Sequence, residues 1–212
     1  MQRAPLTLSF ARRIALRSCA TLHRRAFAHT SATSNAAAPR GAFQIDSLGE
    51  PFERRGLRQP VWVDAPGEAL SAVLRSGCTV FAHSAAACPT PLLAAMTAVG
   101  VANGLSDIEV MHMHIDGAAP HMEPGMERVF RDTSFFVGAN ARAAIAAGRA
   151  DYVPIFLSEI PLLFRRGVKP VDVALINISP PDARGYCSLG PSVDITRAAL
   201  QVRASVFVWH AW

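Results

Sequence analysis

From residue 64 onward the apolar positions switch repeatedly between a helical period and a strand period, and the switches predict the elements. Asp64-Ala65-Pro66 reads as a helix start with proline in the first turn, and Gly77 as the stop of that helix. The short apolar run Cys78-Thr79-Val80-Phe81-Ala82 predicts a buried strand. Residues 89–99 predict a second helix, with Leu92, Leu93, Met96 and Val99 on one face. Residues 108–114 alternate as a strand, and residues 134–137 form another. A helix over 141–147 closes at Gly148, and a strand follows over 152–156, where Pro154 marks an edge or a bulge. Ser158 is placed to cap a helix that carries Ile160, Leu162, Leu163 and Phe164 and stops at Gly167. Residues 171–178 give the strongest strand pattern. Strands alternating with short helices predict an α/β fold, an open and mostly parallel sheet with helices on both faces. In such folds the loops after the carboxyl ends of the strands build ligand sites. Those loops fall at 83–89, 138–142, 158–161 and 179–190, and no internal repeat is present.

Composition sharpens this picture. The chain has 212 residues, 50% apolar and 17% charged, which is a globular balance with material for one good-sized domain. No run approaches the roughly 18 apolar residues of a membrane span, so no membrane partner is expected. The net charge of +5 is concentrated at one end. Arg3, Arg12, Arg13, Arg17, Arg24, Arg25 and Arg40 precede the first acidic residue, Asp46. Beyond residue 40 the balance is 14 basic to 16 acidic residues, which gives no basic patch for a nucleic acid. Of four cysteines, Cys78, Cys88 and Cys187 lie in the folded part and form no CxxC pair, as expected of reduced thiols in a reducing compartment.

The arginine-rich, acid-free start has the composition of a mitochondrial transit peptide, assigned to residues 1–34. Residues 9–17 can wind as a basic amphipathic helix with Phe10, Ile14 and Arg17 at helical spacing. Arg25-Ala26-Phe27-Ala28-His29-Thr30 resembles a two-step matrix cleavage pattern, with mature ends after Ala26 and then Ser34, and the expected location is the mitochondrial matrix. Residues 35–60 read as a linker and irregular entry segment, residues 61–200 as the folded domain and residues 201–212 as a divergent tail.

The motifs point to a family. Phe135-Phe136-Val137-Gly138-Ala139-Asn140-Ala141-Arg142 is followed by Gly148-Arg149-Ala150-Asp151-Tyr152-Val153-Pro154 and by Leu157-Ser158-Glu159-Ile160-Pro161. The most specific run is Ile178-Ser179-Pro180-Pro181-Asp182-Ala183-Arg184-Gly185-Tyr186-Cys187-Ser188-Leu189-Gly190. Together these resemble the acetyl-CoA hydrolase/transferase family, with acetate:succinate and 4-hydroxybutyrate CoA-transferases among its members, in order and spacing from about Gly77 to Ala199. The resemblance implies an acyl-CoA:carboxylate CoA-transferase active in acetate and acetyl-CoA metabolism, of which this chain is the N-terminal domain. It implies acyl-CoA and short-chain carboxylates as substrates, a homo-oligomer in full-length form, coenzyme A thioester as substrate rather than cofactor, and no metal. The chemistry implied is covalent: a glutamate attacks the thioester, a glutamyl-CoA thioester follows, and a second carboxylate takes the CoA. That glutamate is expected downstream of this chain, so none of the residues here is assigned as catalytic and the chain alone is expected to be inactive. An acetyl-CoA hydrolase, or a truncated non-catalytic variant acting as an interaction module, are the alternatives. A Rossmann-type nucleotide binder is excluded by the lack of a GxGxxG between strand and helix.

The candidate substrate-site positions lie on the four loops. His83, Ser84, Ala85, Ala86 and Pro89 form the first, where small residues let backbone approach a ligand or simply make a tight turn. Gly138 and Asn140 belong to the second, and Ser158 to the third. Pro180, Asp182, Gly185, Tyr186 and Ser188 belong to the fourth, with Asp182 able to bond turn amides. His112-x-His114-x-Asp116 places three possible metal ligands on one strand face, with His121 as the nearest further candidate, but the family implied needs no metal. Glu123, Glu127 and Glu159 read as surface or capping groups, and Cys88 and Cys187 as buried small residues.

Overall fold

The computed structural model describes residues 65–180, 182–183 and 186–202, together with the backbone of three strands at 14–17, 61–63 and 205–210. The elements run β1 (Ile14–Arg17), β2 (Val61–Val63), α1 (Pro66–Ser71), β3 (Thr79–Ala82), α2 (Thr90–Ala102) and β4 (Ile108–His112). A 3-10 turn (Pro120–Met122) leads to β5 (Phe130–Ser134), α3 (Ala139–Ala146), β6 (Ala150–Tyr152), α4 (Ile160–Arg165), β7 (Val173–Ile178), α5 (Thr196–Val202) and β8 (Ser205–His210). The sheet order is β2-β1-β8-β7-β3-β4-β5-β6. The six strands from β8 to β6 are parallel, and β1 and β2 add antiparallel at the β8 side.

The chain steps outward from β3 through β4 and β5 to β6, then returns to the other side of β3 with β7 and β8. Crossovers between parallel strands are right-handed, so reversing the direction of travel moves the covering helices to the opposite face. Two cores result. One packs Leu70, Leu92, Leu93 and Met96 of α1 and α2, with Ala141 and Ala144 of α3, on Val80, Val110 and Leu175. The other packs Ile160 and Phe164 of α4 and Ala198 and Ala199 of α5 on Phe81, Met111 and Ala174. Alternation along each strand divides the residues this way, as the period of two requires. The open, mostly parallel sheet with helices on both faces is therefore present.

Several predicted boundaries move. Ile14–Arg17, expected within a helix, is a strand paired with β2 on one side and β8 on the other, and such tertiary pairing overrides a local helical period. Helix α1 ends at Ser71 rather than Gly77, although Gly77 does take the left-handed φ of 74° expected of a stop. The strand expected at 134–137 is Phe130–Ser134, and the one expected at 152–156 is Ala150–Tyr152. Strand β4 ends at His112, two residues short of His114. Ser158 does not cap α4, whose N-cap residue is Glu159 with no side-chain bond. Cys187, expected to be buried, is exposed, while Cys78 is buried.

Candidate functional site at the carboxyl edge of the sheet

The direction of travel reverses at β3 and β7, so their carboxyl ends diverge into loops on opposite faces and open the crevice where open α/β sheets bind ligands. His83 follows β3 directly and is fully buried. Its Nε2 lies 2.6 Å from the carbonyl oxygen of Ser192, which can only accept, so Nε2 carries the proton. Nδ1 lies 3.1 Å from the Asn177 carbonyl oxygen and 3.3 Å from the Asn177 backbone nitrogen, so it meets both peptide groups of that residue. The His83 amide donates to Leu175 O at 2.9 Å. One imidazole thus straps the end of β3 to the end of β7 and to the turn before α5.

The next residue, Ser84, is also fully buried, and its Oγ accepts the Met113 N–H at 3.0 Å. Ala85 donates its N–H to His114 O at 2.9 Å, bridges Ile115 in parallel and holds a left-handed φ of 51°. The first loop therefore runs as an irregular extension of the β3–β4 pairing. Ala86 projects into solvent while Pro89 is buried at the start of α2. Cys88 is half-buried, and burial pushes its thiol up to about 11 against a bond from Thr90, so it is protonated at neutral pH.

The second loop meets the first across the end of β4. Gly138 faces His114, and a Cβ there would come within 3.2 Å of the His114 Cβ. Asn140 donates to Ile115 O at 3.1 Å and also to Gly117 O. His114 stacks edge-on to Phe136 with centroids 5.7 Å apart. The fourth loop folds back on itself: Ser179 N–H donates to Ser188 O at 2.9 Å, and Ser188 N–H donates to Ser179 Oγ at 2.8 Å. At its tip Asp182 accepts the Tyr186 N–H at 2.8 Å, while Tyr186 itself is 73% exposed. Pro180 is half-buried on this loop and Gly185 lies outside the described residues. Ser158 is exposed at the end of the β6–α4 connection and makes no described bond to the other loops.

The structure brings His83, Ser84, Ala85, Gly138 and Asn140 together around Met113–Gly117, with the fourth loop rising from the neighbouring end of β7. Sequence reading missed Asn177, Ser192 and His114 as partners. Neither Asn177 nor Ser192 carried a signal, since both meet the His83 ring through backbone atoms that any residue would supply.

The one-face reading of His112, His114 and Asp116 is overturned. Only His112 lies in the strand, and His114 Nε2 stands 3.9 Å from Asp116 Oδ1 beyond its end. His112 instead meets Asp132, and His121 joins them from the 3-10 turn. Desolvation would push the Asp132 carboxyl up, but the charges and N–H groups of His112 and His121 outweigh it and hold the carboxyl well below the usual range.

Comparison with known proteins now becomes informative. The model of the acetyl-CoA hydrolase/transferase N-terminal domain matches residues 62–209, past Leu200 where the sequence resemblance was expected to end. A succinyl-CoA:acetate/propanoyl-CoA:succinate CoA transferase of Fasciola hepatica is 48% identical over 159 residues, covering 75% of this chain and 33% of that protein. A 4-hydroxybutyrate coenzyme A transferase of Clostridium kluyveri is 40% identical over 134 residues, covering 63% of this chain and 30% of that protein. The crystal structure of RipA from Yersinia pestis superposes with a TM-score of 0.57 at 27% identity, covering 62% of this chain and 32% of that one. The chain spans about a third of the length of the curated relatives it matches.

Proposed function

Because the chain belongs to the acetyl-CoA hydrolase/transferase family, we propose that it is part of an acyl-CoA:carboxylate CoA-transferase of the acetate/succinate type. The observation that supports this best is the family match from residue 62 to residue 209, which takes in all four carboxyl-edge loops. In this reading the loops around Met113–Gly117 and the Ser179–Ser188 fold-back form one wall of the site. Backbone N–H groups and small residues at 83–89 and 138–140 meet the acyl and thioester end of the substrate. In this reading the nucleophilic glutamate comes from outside the matched domain. The working enzyme is a homo-oligomer, and residues 1–34 direct it to the mitochondrial matrix.

The test is transfer itself. The natural polypeptide that carries this domain, given succinyl-CoA and acetate, is expected to form acetyl-CoA and succinate. No transfer to acetate, propanoate or another short carboxylate would refute the reading. Release of free CoA with no acceptor present would instead make the protein a hydrolase. A fusion of residues 1–40 to a fluorescent protein is expected to reach mitochondria, and a cytosolic signal would remove the location from the proposal.

A further inference from the structure

A polar cluster on the α2 side of the sheet takes no part in the face just described. His112 closes β4, His121 sits on the 3-10 turn, and Asp132 lies in the middle of β5; none is more than 2% exposed. Asp132 Oδ1 is 2.8 Å from His112 Nε2 and 3.2 Å from His121 Nε2. Ser134 Oγ donates to Asp132 Oδ2 at 3.0 Å, which leaves Oδ1 for the two rings. One donor atom from each of the three residues lies within 4.8 Å of the others. Desolvating a carboxylate and two imidazoles is costly, and an apolar trio would fill the same core without that cost.

We propose that His112 Nε2, His121 Nε2 and Asp132 Oδ1 bind a divalent transition-metal ion of the zinc type. Two imidazole nitrogens and one carboxylate oxygen are a donor set that zinc accepts, with a fourth position left for solvent. Ligand atoms around a tetrahedral ion at such bond lengths stand about 3.3 Å apart. The two short separations are already within about half an ångström of that, and the third is no more than 4.8 Å. A small surface pocket lined by His121, Asp132, Glu123, Glu127 and Arg149 lies against the cluster. The Arg149 charge at this cavity is balanced by Glu127, 3.8 Å away, and its Nη1 also donates to Met122 O. The Nδ1 atoms of both rings are buried without a partner. That cost is common to the ion-free and ion-bound states and does not choose between them.

The full chain, stripped with a chelator and then dialysed against zinc, is expected to retain one equivalent. Cobalt(II) in its place is expected to give the visible d–d absorption of a four-coordinate site. At a hundredfold excess of zinc over Kd the thermal midpoint is expected to rise by roughly 5–10 °C. His121→Gln is expected to weaken binding at least tenfold, and His114→Gln to leave it unchanged. Less than a tenth of an equivalent bound, with no midpoint shift, would leave the cluster as a proton-bridged structural triad and overturn the proposal. So would binding that survives His121→Gln and is lost with His114→Gln. If His121→Gln fails to fold, the zinc content and cobalt spectrum of the unaltered chain decide the matter.

Discussion

Strands β3 and β7 are held together differently at their two ends, and the difference separates support from function. At the amino end the fastening is a carboxylate. Asp172 Oδ2 accepts the Thr79 N–H at 3.0 Å and the Thr79 hydroxyl at 3.2 Å, and Oδ1 accepts from Arg75 at 2.9 Å. This end is partly wet, with side-chain exposures of 66% for Arg75 and 28% for Asp172. At the carboxyl end the fastening is the buried ring of His83, bonded only to backbone groups of Asn177 and Ser192. A carboxylate at the amino end serves as a clasp in water. Partners that are all peptide groups at the carboxyl end fix the loop bases through backbone contacts shielded from water.

The comparison breaks most visibly at His83. His83→Ala deletes a fully buried ring and leaves the Ser192 carbonyl and the Asn177 N–H without their partner. Cavity and desolvation costs together should lower stability by about 3 kcal/mol, read as a fall in the urea midpoint. If the proposed function holds, loosened loop bases in the natural polypeptide that carries this domain should also reduce CoA transfer more than the stability loss explains at temperatures where the variant is folded. Asp172→Ala should cost less, about 1–2 kcal/mol, because solvent can take over part of the lost bonding and the exposed Arg75 pair contributes little. Under the same proposal it should leave transfer by the natural polypeptide intact, since the clasp lies at the far end of the sheet. Equal losses in both variants would erase the distinction between the ends.

Acid sharpens the same contrast. Although desolvation raises it, the bonds from Thr79 and Arg75 lower the Asp172 carboxyl overall. A folded-state value below the unfolded one contributes stability that is complete above the unfolded value of about 3.9 and is lost as pH falls through it toward the folded value. Asp172→Ala should therefore flatten the acid limb of the stability profile below about pH 5, and the unaltered chain should keep that limb. Urea unfolding across pH 3–7 (roughly the window set by these carboxylate values) checks both.

How far the sequence foretold this arrangement depends on whether a residue's partner is near in the chain. The α/β class, α2, β3 and β7 were legible because apolar periodicity is local. Strand β5 was not, since Phe-Arg-Asp-Thr-Ser carries charges that the sheet tolerates only through distant partners. Arg131 Nε donates to Asp151 Oδ2 at 2.7 Å on β6, and Asp132 is held by His112 and His121. The aromatic run just beyond it looked more strand-like, yet Phe135 lies past the end of β5 and packs edge-on to Phe164 at 5.9 Å, and Phe136 is 59% exposed. The loops at 83–89, 138–142 and 179–190 were legible as the residues around the carboxyl edge, because their motif residues are contiguous. The strap from His83 to Ser192 was not, since its two ends are 109 residues apart in sequence.

The finest probe of the carboxyl end is Ala85. Its φ of 51° is a conformation that glycine adopts freely and that costs alanine about 1 kcal/mol. The turn keeps it there because the preceding residue and its own backbone are pinned: Ser84 by the Met113 N–H, and Ala85 by the carbonyl of His114 and the bridge to Ile115. Ala85→Gly removes the steric cost but adds chain entropy to the unfolded state, so the net change should be a small stabilisation of about 0.5 kcal/mol. A rise in the urea midpoint accompanied by slower CoA transfer would mean that the methyl group holds the loop in the conformation substrate needs, which is strain kept for function. A rise with transfer unchanged would make the left-handed turn a by-product of bonding the first loop to β4. A fall would mean that packing of the half-buried methyl group outweighs the backbone strain, and the carboxyl end would then be as conventionally built as the amino end.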